Sequence, residues 1–241
     1  MSRHDPGVQK LTPELLLRAY AAGIFPMAES RDDPGVFWVD PQVRGIMPLD
    51  DFHIPRRLKK TVRSGGFEVR IDSAFDEVIR LCGGEDKVRP ETWINAAIEN
   101  AVIELFDMGF AHSIETWRDG RLVGGLYGIA LGGAFFGESM FSRFRDASKV
   151  ALVHLMARLR LCGFTLLDVQ FITDHLRRFG AIEIPARIYL EKLNAAMEVQ
   201  GAVFGDVSPT DVSDALGNWS YSRAPRRRKP GVPLPTAPGW T

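Results

Sequence analysis

Residues 112–141 contain three β-like runs separated by two tight turns, and that spacing restricts the fold more than any other feature. His112 to Trp117 reads as one strand, Leu122 to Leu131 as a second and Ala134 to Phe141 as a third. Asp119-Gly120 has the composition of a two-residue hairpin turn, and Gly132-Gly133 turns the chain again. Strands joined this tightly pair antiparallel, because a parallel crossover needs a dozen or more residues.

The flanks place helices around this block. Thr12-Pro13-Glu14 starts a helix, with Thr as cap and Pro in the first turn, and Gly23 stops it. Arg44 to Leu49 and Phe67 to Ile71 read as strands. Residues 74–82 and 92–108 read as helices, with a polar loop at 83–90. Ser148 is the expected cap of a helix from Lys149 to Leu161. Phe164 to Phe171 is a further strand, Thr173 caps a short helix, and Pro185 opens a last helix to about Met197. Strands and helices in this order describe an α+β domain around a mainly antiparallel sheet. Gly65-Gly66 marks the expected junction, giving residues 1–64 as a small N-terminal α/β domain and 65–205 as the catalytic domain. Residues 206–241, a Pro/Arg-rich C-terminal tail carrying Arg226-Arg227-Arg228-Lys229, are expected to lack fixed structure.

Charge narrows the function classes. Lys+Arg and Asp+Glu stand at 30 each. Nucleic-acid contact must therefore come from local patches rather than from net charge. Arg56, Arg57, Lys59, Lys60 and Arg63 form the densest such patch and are candidate phosphate contacts. Cys82 and Cys162 make neither a disulfide framework nor a Cys-rich metal site, and a reduced, cytoplasmic setting is expected. The first residues lack the apolar run of a signal peptide, and no run is long enough for a membrane helix. The histidines lack metal-ligand spacing, so no metal is expected. No phosphate-cradling glycine motif is present, and no cofactor is expected.

Two segments carry candidate chemistry. In Phe164-Thr-Leu-Leu-Asp-Val-Gln-Phe171, alternation puts Phe164, Leu166, Asp168 and Gln170 on one face, which changes from apolar to carboxylate plus amide. Asp168 and Gln170 would lie about 7 Å apart. Either this is a site or the strand end emerges into solvent. In Gly137-Glu-Ser-Met-Phe-Ser142, Glu138 interrupts an apolar strand. A buried carboxylate needs a partner or a cleft, and Ser139 adds a polar group beside it. Trp93 is a candidate base-stacking ring, although core packing is the commoner role for a tryptophan.

Taken together, GIFP (23–26), His53-Ile54, ETWI (91–94), GFAHSIE (109–115), LVGGLYG (122–128), FGESMFS (136–142), ASK (147–149), DVQ (168–170) and GAIEIP (180–185) closely resemble the leucyl/phenylalanyl-tRNA–protein transferases over about residues 11–197. The resemblance implies a small N-terminal domain and a GNAT-like (acetyltransferase-like) catalytic domain. It implies a Leu-, Phe- or Met-bearing aminoacyl-tRNA as donor. The acceptor would be a protein with N-terminal Arg or Lys, and the product would carry an N-terminal degradation signal. Asp168 and Gln170 match the family's catalytic pair. Trp93, Phe135 and Glu138 match positions at the aminoacyl-adenosine site, and Leu126 falls where the side-chain pocket is expected. Met27 stands where many relatives carry Trp; a flexible, polarizable side chain can fill the same gap. Val102 stands where some place Tyr.

The implied reaction is aminolysis of an ester already activated by its tRNA, so orientation can supply much of the rate. Asp168 is the expected acceptor of the amine's proton, Gln170 the holder of the donor's α-amine or carbonyl, and Glu138 an orienting group. An acetyl-CoA-dependent acetyltransferase is a rival reading, but the turn 143–149 lacks the glycine a pyrophosphate would need. A non-catalytic RNA-binding module is the other.

Overall fold

The computed structural model describes residues 11–84, 92–205 and 207–217. Its centre is a seven-stranded sheet in the order β4-β5-β6-β7-β8-β3-β9. These strands are β3 (Val43–Ile46), β4 (Glu68–Ile71), β5 (Ala111–Arg118), β6 (Arg121–Leu131), β7 (Ala134–Ser142), β8 (Leu166–Gln170) and β9 (Ile182–Pro185). Every pairing is antiparallel except β7 with β8. A separate hairpin joins β1 (Phe25–Met27) to β2 (Phe37–Val39).

The three central strands form as their spacing requires. Asp119 and Gly120 both take positive φ, 51° and 71°, the two-residue turn whose twist matches its strands. Between β6 and β7 the register slips: Tyr127 faces Ser139, but Gly128 faces Gly137, so Glu138 is one extra residue, a β-bulge. A Cβ on Gly128 would meet the Phe136 carbonyl oxygen at 2.4 Å and the Phe135 ring at 2.3 Å, so only glycine fits opposite the bulge.

Helices cover both faces. On one lie α1 (Pro13–Ala21), α3 (Phe75–Cys82), α4 (Ala96–Asp107) and α7 (Ala186–Met197), whose buried residues share a core with Phe25, Met27, Trp93 and Phe136. On the other lie α2 (Arg56–Arg63), α5 (Ala147–Leu161) and α8 (Pro209–Gly217), around Phe135, Leu126 and Leu167. The four-residue α6 (Asp174–Arg177) follows β8 and is capped by Thr173, as its sequence suggests.

Several expectations need correction. The division at 64/65 cuts through the sheet, because β3 lies hydrogen-bonded between β8 and β9. The basic stretch 56–63 is a helix, anchored by buried Leu58. Ser148 is not the cap of α5. The helix starts after Asp146, which takes φ 66°, a conformation Asp tolerates; the Ser148 N–H instead donates to Ser142 Oγ at 3.3 Å. α4 begins at Ala96 with Asn95 as its cap, so Trp93 precedes the helix. β9 has no counterpart in the sequence reading. Part of the tail is ordered as α8, with Val212 buried. Residues 85–90 of the polar loop, Glu91 and the basic run 226–229 lie outside the described residues.

Candidate active site where β7 and β8 part

β7 and β8 pair only as far as Phe136–Asp168, while β3 pairs with the other edge of β8 from Asp168 to Gln170. The strands diverge at the point where Glu138 bulges and where Asp168 and Gln170 end β8. The strand end does not emerge into solvent: Asp168, Gln170 and Glu138 are all buried.

Asp168 is enclosed by partners. Arg44 of β3 donates from Nε to Oδ1 and Oδ2 at 3.0 and 3.1 Å and from Nη2 to Oδ2 at 2.6 Å. The Tyr189 hydroxyl donates to Oδ2 at 2.7 Å and the Gln170 N–H to Oδ1 at 2.8 Å. Arg44 also donates to the Gly23 carbonyl at 2.9 Å and lies between the rings of Phe25 and Tyr189, 4.5 and 4.6 Å from their centroids. Both members of the pair are almost wholly buried, at 1% and 0% exposure. A buried ion pair is tolerated when its remaining hydrogen-bonding capacity is used, and here it is. The proton-accepting role expected of Asp168 does not fit this arrangement, since neither oxygen faces open space.

What Asp168 does instead is visible in its neighbour. Gln170 has φ 54°, an unfavourable left-handed conformation for a residue that is not glycine, which costs on the order of 1–3 kcal/mol. The Asp168 carboxylate holds its N–H in that conformation. The Gln170 side chain then meets the bulge, Nε2 donating to Glu138 Oε1 at 3.1 Å. Its Oε1 is buried with no partner among the described residues, and so is the Tyr127 hydroxyl.

Glu138 differs from Asp168. Its partners are the Gln170 amide and the Tyr20 hydroxyl, not a cation. Burial pushes its carboxyl up to about 8, with the Asp168 charge adding to the rise while the Tyr20 hydrogen bond and Arg44 oppose it. One guanidinium cannot balance two buried carboxylates, so one of them keeps its proton near neutrality.

Beside this polar pair lies an apolar cavity between the diverging strands and α5. It is lined by Leu126, Met140, Leu152, Leu155, Leu167, Val169 and Leu176 together with Tyr127, Gly137, Glu138 and Ser139. Leu126, Glu138 and Ser139 line the same cavity. Phe135 stands behind the wall, fully buried and packed on Phe164 and Phe204. Trp93 and Met27 sit in the core of the opposite face, 7% and 8% exposed. They are neighbours there, since the Ala28 N–H donates to the Trp93 carbonyl at 3.0 Å. Arg56, Arg57, Lys60 and Arg63 are exposed on α2 and Lys59 is half-buried; the helix belongs to the Leu126 face, not the Trp93 face. No group of three or more potential metal ligands occurs among the described residues.

Arg44, Tyr20 and Tyr189 escape the sequence reading. Arg44 carried the same signal as Glu138, a charge within an apolar strand, and would have been found by that rule. The tyrosines sit in amphipathic helices, where nothing in the pattern distinguishes them from core residues.

Comparison with known proteins agrees with the motifs. Residues 46–194 match the leucyl/phenylalanyl-tRNA protein transferase family, and residues 9–42 match its N-terminal domain. The leucyl/phenylalanyl-tRNA–protein transferase of Paramagnetospirillum magneticum is 59% identical over 190 residues, 79% of this chain and 91% of the relative. That of Nitrobacter winogradskyi is 60% identical over 198 residues, 82% of this chain and 88% of the relative. Among solved structures, FemX is similar with a TM-score of 0.44 at 14% identity, over 66% of this chain and 60% of that one, too distant to bear on the chemistry. With the conserved domain matched across the sheet, bulge and cavity just described, the chain belongs to the leucyl/phenylalanyl-tRNA protein transferase family.

Proposed function

We propose that this aminoacyltransferase moves Leu, Phe or Met from aminoacyl-tRNA to the N-terminal Arg or Lys of acceptor proteins, marking them for degradation. The observation that carries this reading is the polar pair Glu138–Gln170, with Glu138 also lining a small apolar cavity. The donor's side chain inserts between the apolar walls of this cavity, which move apart to admit it, and the ester carbonyl lies near Glu138. The acceptor's α-amine attacks that carbonyl carbon. A C–N bond forms, the bond to the ribose 3′-oxygen breaks, and the proton lost by the amine ends on the departing oxygen.

Glu138 suits the proton transfer. A carboxyl near 8 matches an α-amine, whose usual pKa is about 7.7–8.0, and efficient proton transfer wants such matching. Glu138 in its ionised form takes the amine's proton and passes it to the 3′-oxygen. Gln170 presents its open Oε1 to the donor's α-amine. Asp168, with Arg44, is a positioning residue that fixes the conformation of Gln170. Trp93 and Met27 border the adenosine and Phe135 backs the cavity. The basic face of α2 grips tRNA phosphates, which suits an enzyme accepting several tRNAs, because phosphate contacts carry no sequence information.

The parallel β7–β8 pair in an otherwise antiparallel sheet supports reading the larger unit as GNAT-like. A charged-tRNA donor favours a cytoplasmic enzyme, and no helix among the described residues is long and apolar enough to cross a membrane. The direct test offers Leu-tRNA and a peptide beginning with Arg and looks for a peptide heavier by one leucyl residue by mass spectrometry. An unmodified peptide under conditions where the tRNA stays charged would refute the reading.

A further inference from the structure

The start of β4, the β5–β6 turn and the β7–α5 loop meet at one end of the sheet. Glu68 pairs with Trp117, Arg118 with Arg121, and the Arg143 N–H donates to the Val123 carbonyl at 2.8 Å. Six cations gather there (Arg70, Arg118, Arg121, Arg143, Arg145 and Lys149) against three carboxylates, Glu68, Asp119 and Asp146. The carboxylates are engaged locally, Glu68 with Arg70 at 2.7 Å, Asp119 with Arg118 at 3.7 Å, and Asp146 with Lys149 at 2.6 Å and Arg145 at 3.7 Å, which leaves three cations in excess. Arg118, Arg121, Arg143 and Arg145 are exposed.

Aromatic rings are interleaved with this charge. The Arg118 guanidinium lies 4.3 Å from the centroid of Phe144, and that of Arg70 lies 4.4 Å from Trp117. Phe144 is 43% exposed. Its other neighbour is Phe67, edge-on at 5.9 Å, and Phe67 follows Arg63 of α2 by four residues. The basic face of α2 and this strand-end patch therefore adjoin. Arg143 lies five residues beyond Glu138, about 16 Å along an extended strand.

We propose that this patch is a second tRNA-backbone surface, continuing the α2 contact and running up β7 toward the site. Arg70 already uses its N–H edge on Glu68, but the Arg118 guanidinium over the Phe144 ring can turn N–H groups to a phosphate. An exposed ring among arginines is a platform for an unpaired base, and an aminoacyl-tRNA ends in unpaired nucleotides. An acidic protein would satisfy the charge but would leave Phe144 and the junction with α2 unused. The inference rests on the reading that the donor is a tRNA.

The test measures binding of uncharged leucine tRNA to the full chain and to a variant with Arg121→Ala and Arg145→Ala, between about 50 and 200 mM salt. Both residues are exposed, and thermal unfolding checks that the fold is kept. Two lost phosphate contacts should weaken binding and reduce the slope of log K against log salt by about 1.4–1.8, at roughly 0.7–0.9 per contact. An unchanged affinity and slope would overturn the proposal, as would a variant that binds tRNA normally but loses binding to a poly-aspartate peptide. Lys59→Ala with Lys60→Ala is measured beside it. If that pair changes nothing while the arginine variant flattens the slope, the α2 assignment fails and the patch stands. If wild-type enzyme transfers Leu normally and only the arginine variant shows no effect, the patch fails and the proposed function stands.

Discussion

Two buried carboxylates lie one strand apart and have opposite surroundings. Asp168 has a guanidinium at 2.6 Å, a tyrosine hydroxyl and a backbone N–H, and no open face. Glu138 has an amide, a hydroxyl and a cavity that it lines, and burial drives its carboxyl up to about 8. Environments that treat two acids so differently divide the work between them. In the proposed mechanism the ion-paired one holds geometry, and the one with no direct cation partner handles the proton. On the proposed reading, the carboxylate that looks catalytic from its strand positions Gln170, and the one that looks like an irregularity in a strand takes the proton.

The sharpest way to break this contrast is to remove one member of the ion pair. Asp168→Asn leaves Arg44 charged and buried, which should cost about 3–5 kcal/mol of stability and abolish transfer. Replacing both, Arg44→Met with Asp168→Leu, should restore much of that stability, since buried pairs often exchange for apolar residues without loss. Transfer should stay lost, because Gln170 has lost the bond that holds its backbone. Chemical denaturation and a transfer assay separate the two effects. Recovery of activity with stability would show that Asp168 only supports the fold.

Next in size is Glu138→Gln. It should keep the hydrogen-bonded frame and lower kcat about 10²–10⁴-fold, the usual contribution of a general base, with KM for the donor changed far less. Its stability should shift as well. A carboxyl raised in the folded state favours folding fully below about 4.5 and loses that contribution as pH rises toward 8. Wild type should therefore lose stability across that window relative to Glu138→Gln, as thermal melts at stepped pH would show.

The cavity gives a smaller effect. Apolar walls distinguish one methylene by only about 10–200-fold, so Leu, Phe and Met should all transfer. Ile and Val should be poor donors through a clash at their branched Cβ. Equal transfer of Leu and Ile from matched tRNAs would rule out that geometry. Smallest is the α2 contact: Lys59→Ala with Lys60→Ala should lower the salt slope of tRNA binding by about 1.4–1.8.

The sheet was legible because its signals are local. Asp119-Gly120 sets a hairpin whatever surrounds it, and alternation fixes which side chains share a face. Glu138 was legible as an anomaly for the same reason. Arg44 with Asp168 was not, since the pair joins residues 124 apart in sequence through β3, a strand that crosses the expected domain boundary. Ser148 misled because the donor that needed capping was met by Ser142, six residues back. The conformation of Gln170 could not be read from the pattern, because strand alternation assumes an extended backbone and the Asp168 carboxylate overrides it.

The pH dependence of kcat/KM for an Arg-starting peptide, in wild type and Glu138→Gln, tests the division of labour most directly. If Glu138 takes the proton from a neutral amine, both groups must be deprotonated. Log kcat/KM should then rise with a slope near two below about pH 7.7, set by the amine and by Glu138 near 8. In Glu138→Gln only the amine remains and the slope should fall to about one. A slope that stays the same in both proteins would contradict the account and leave the proton with another group.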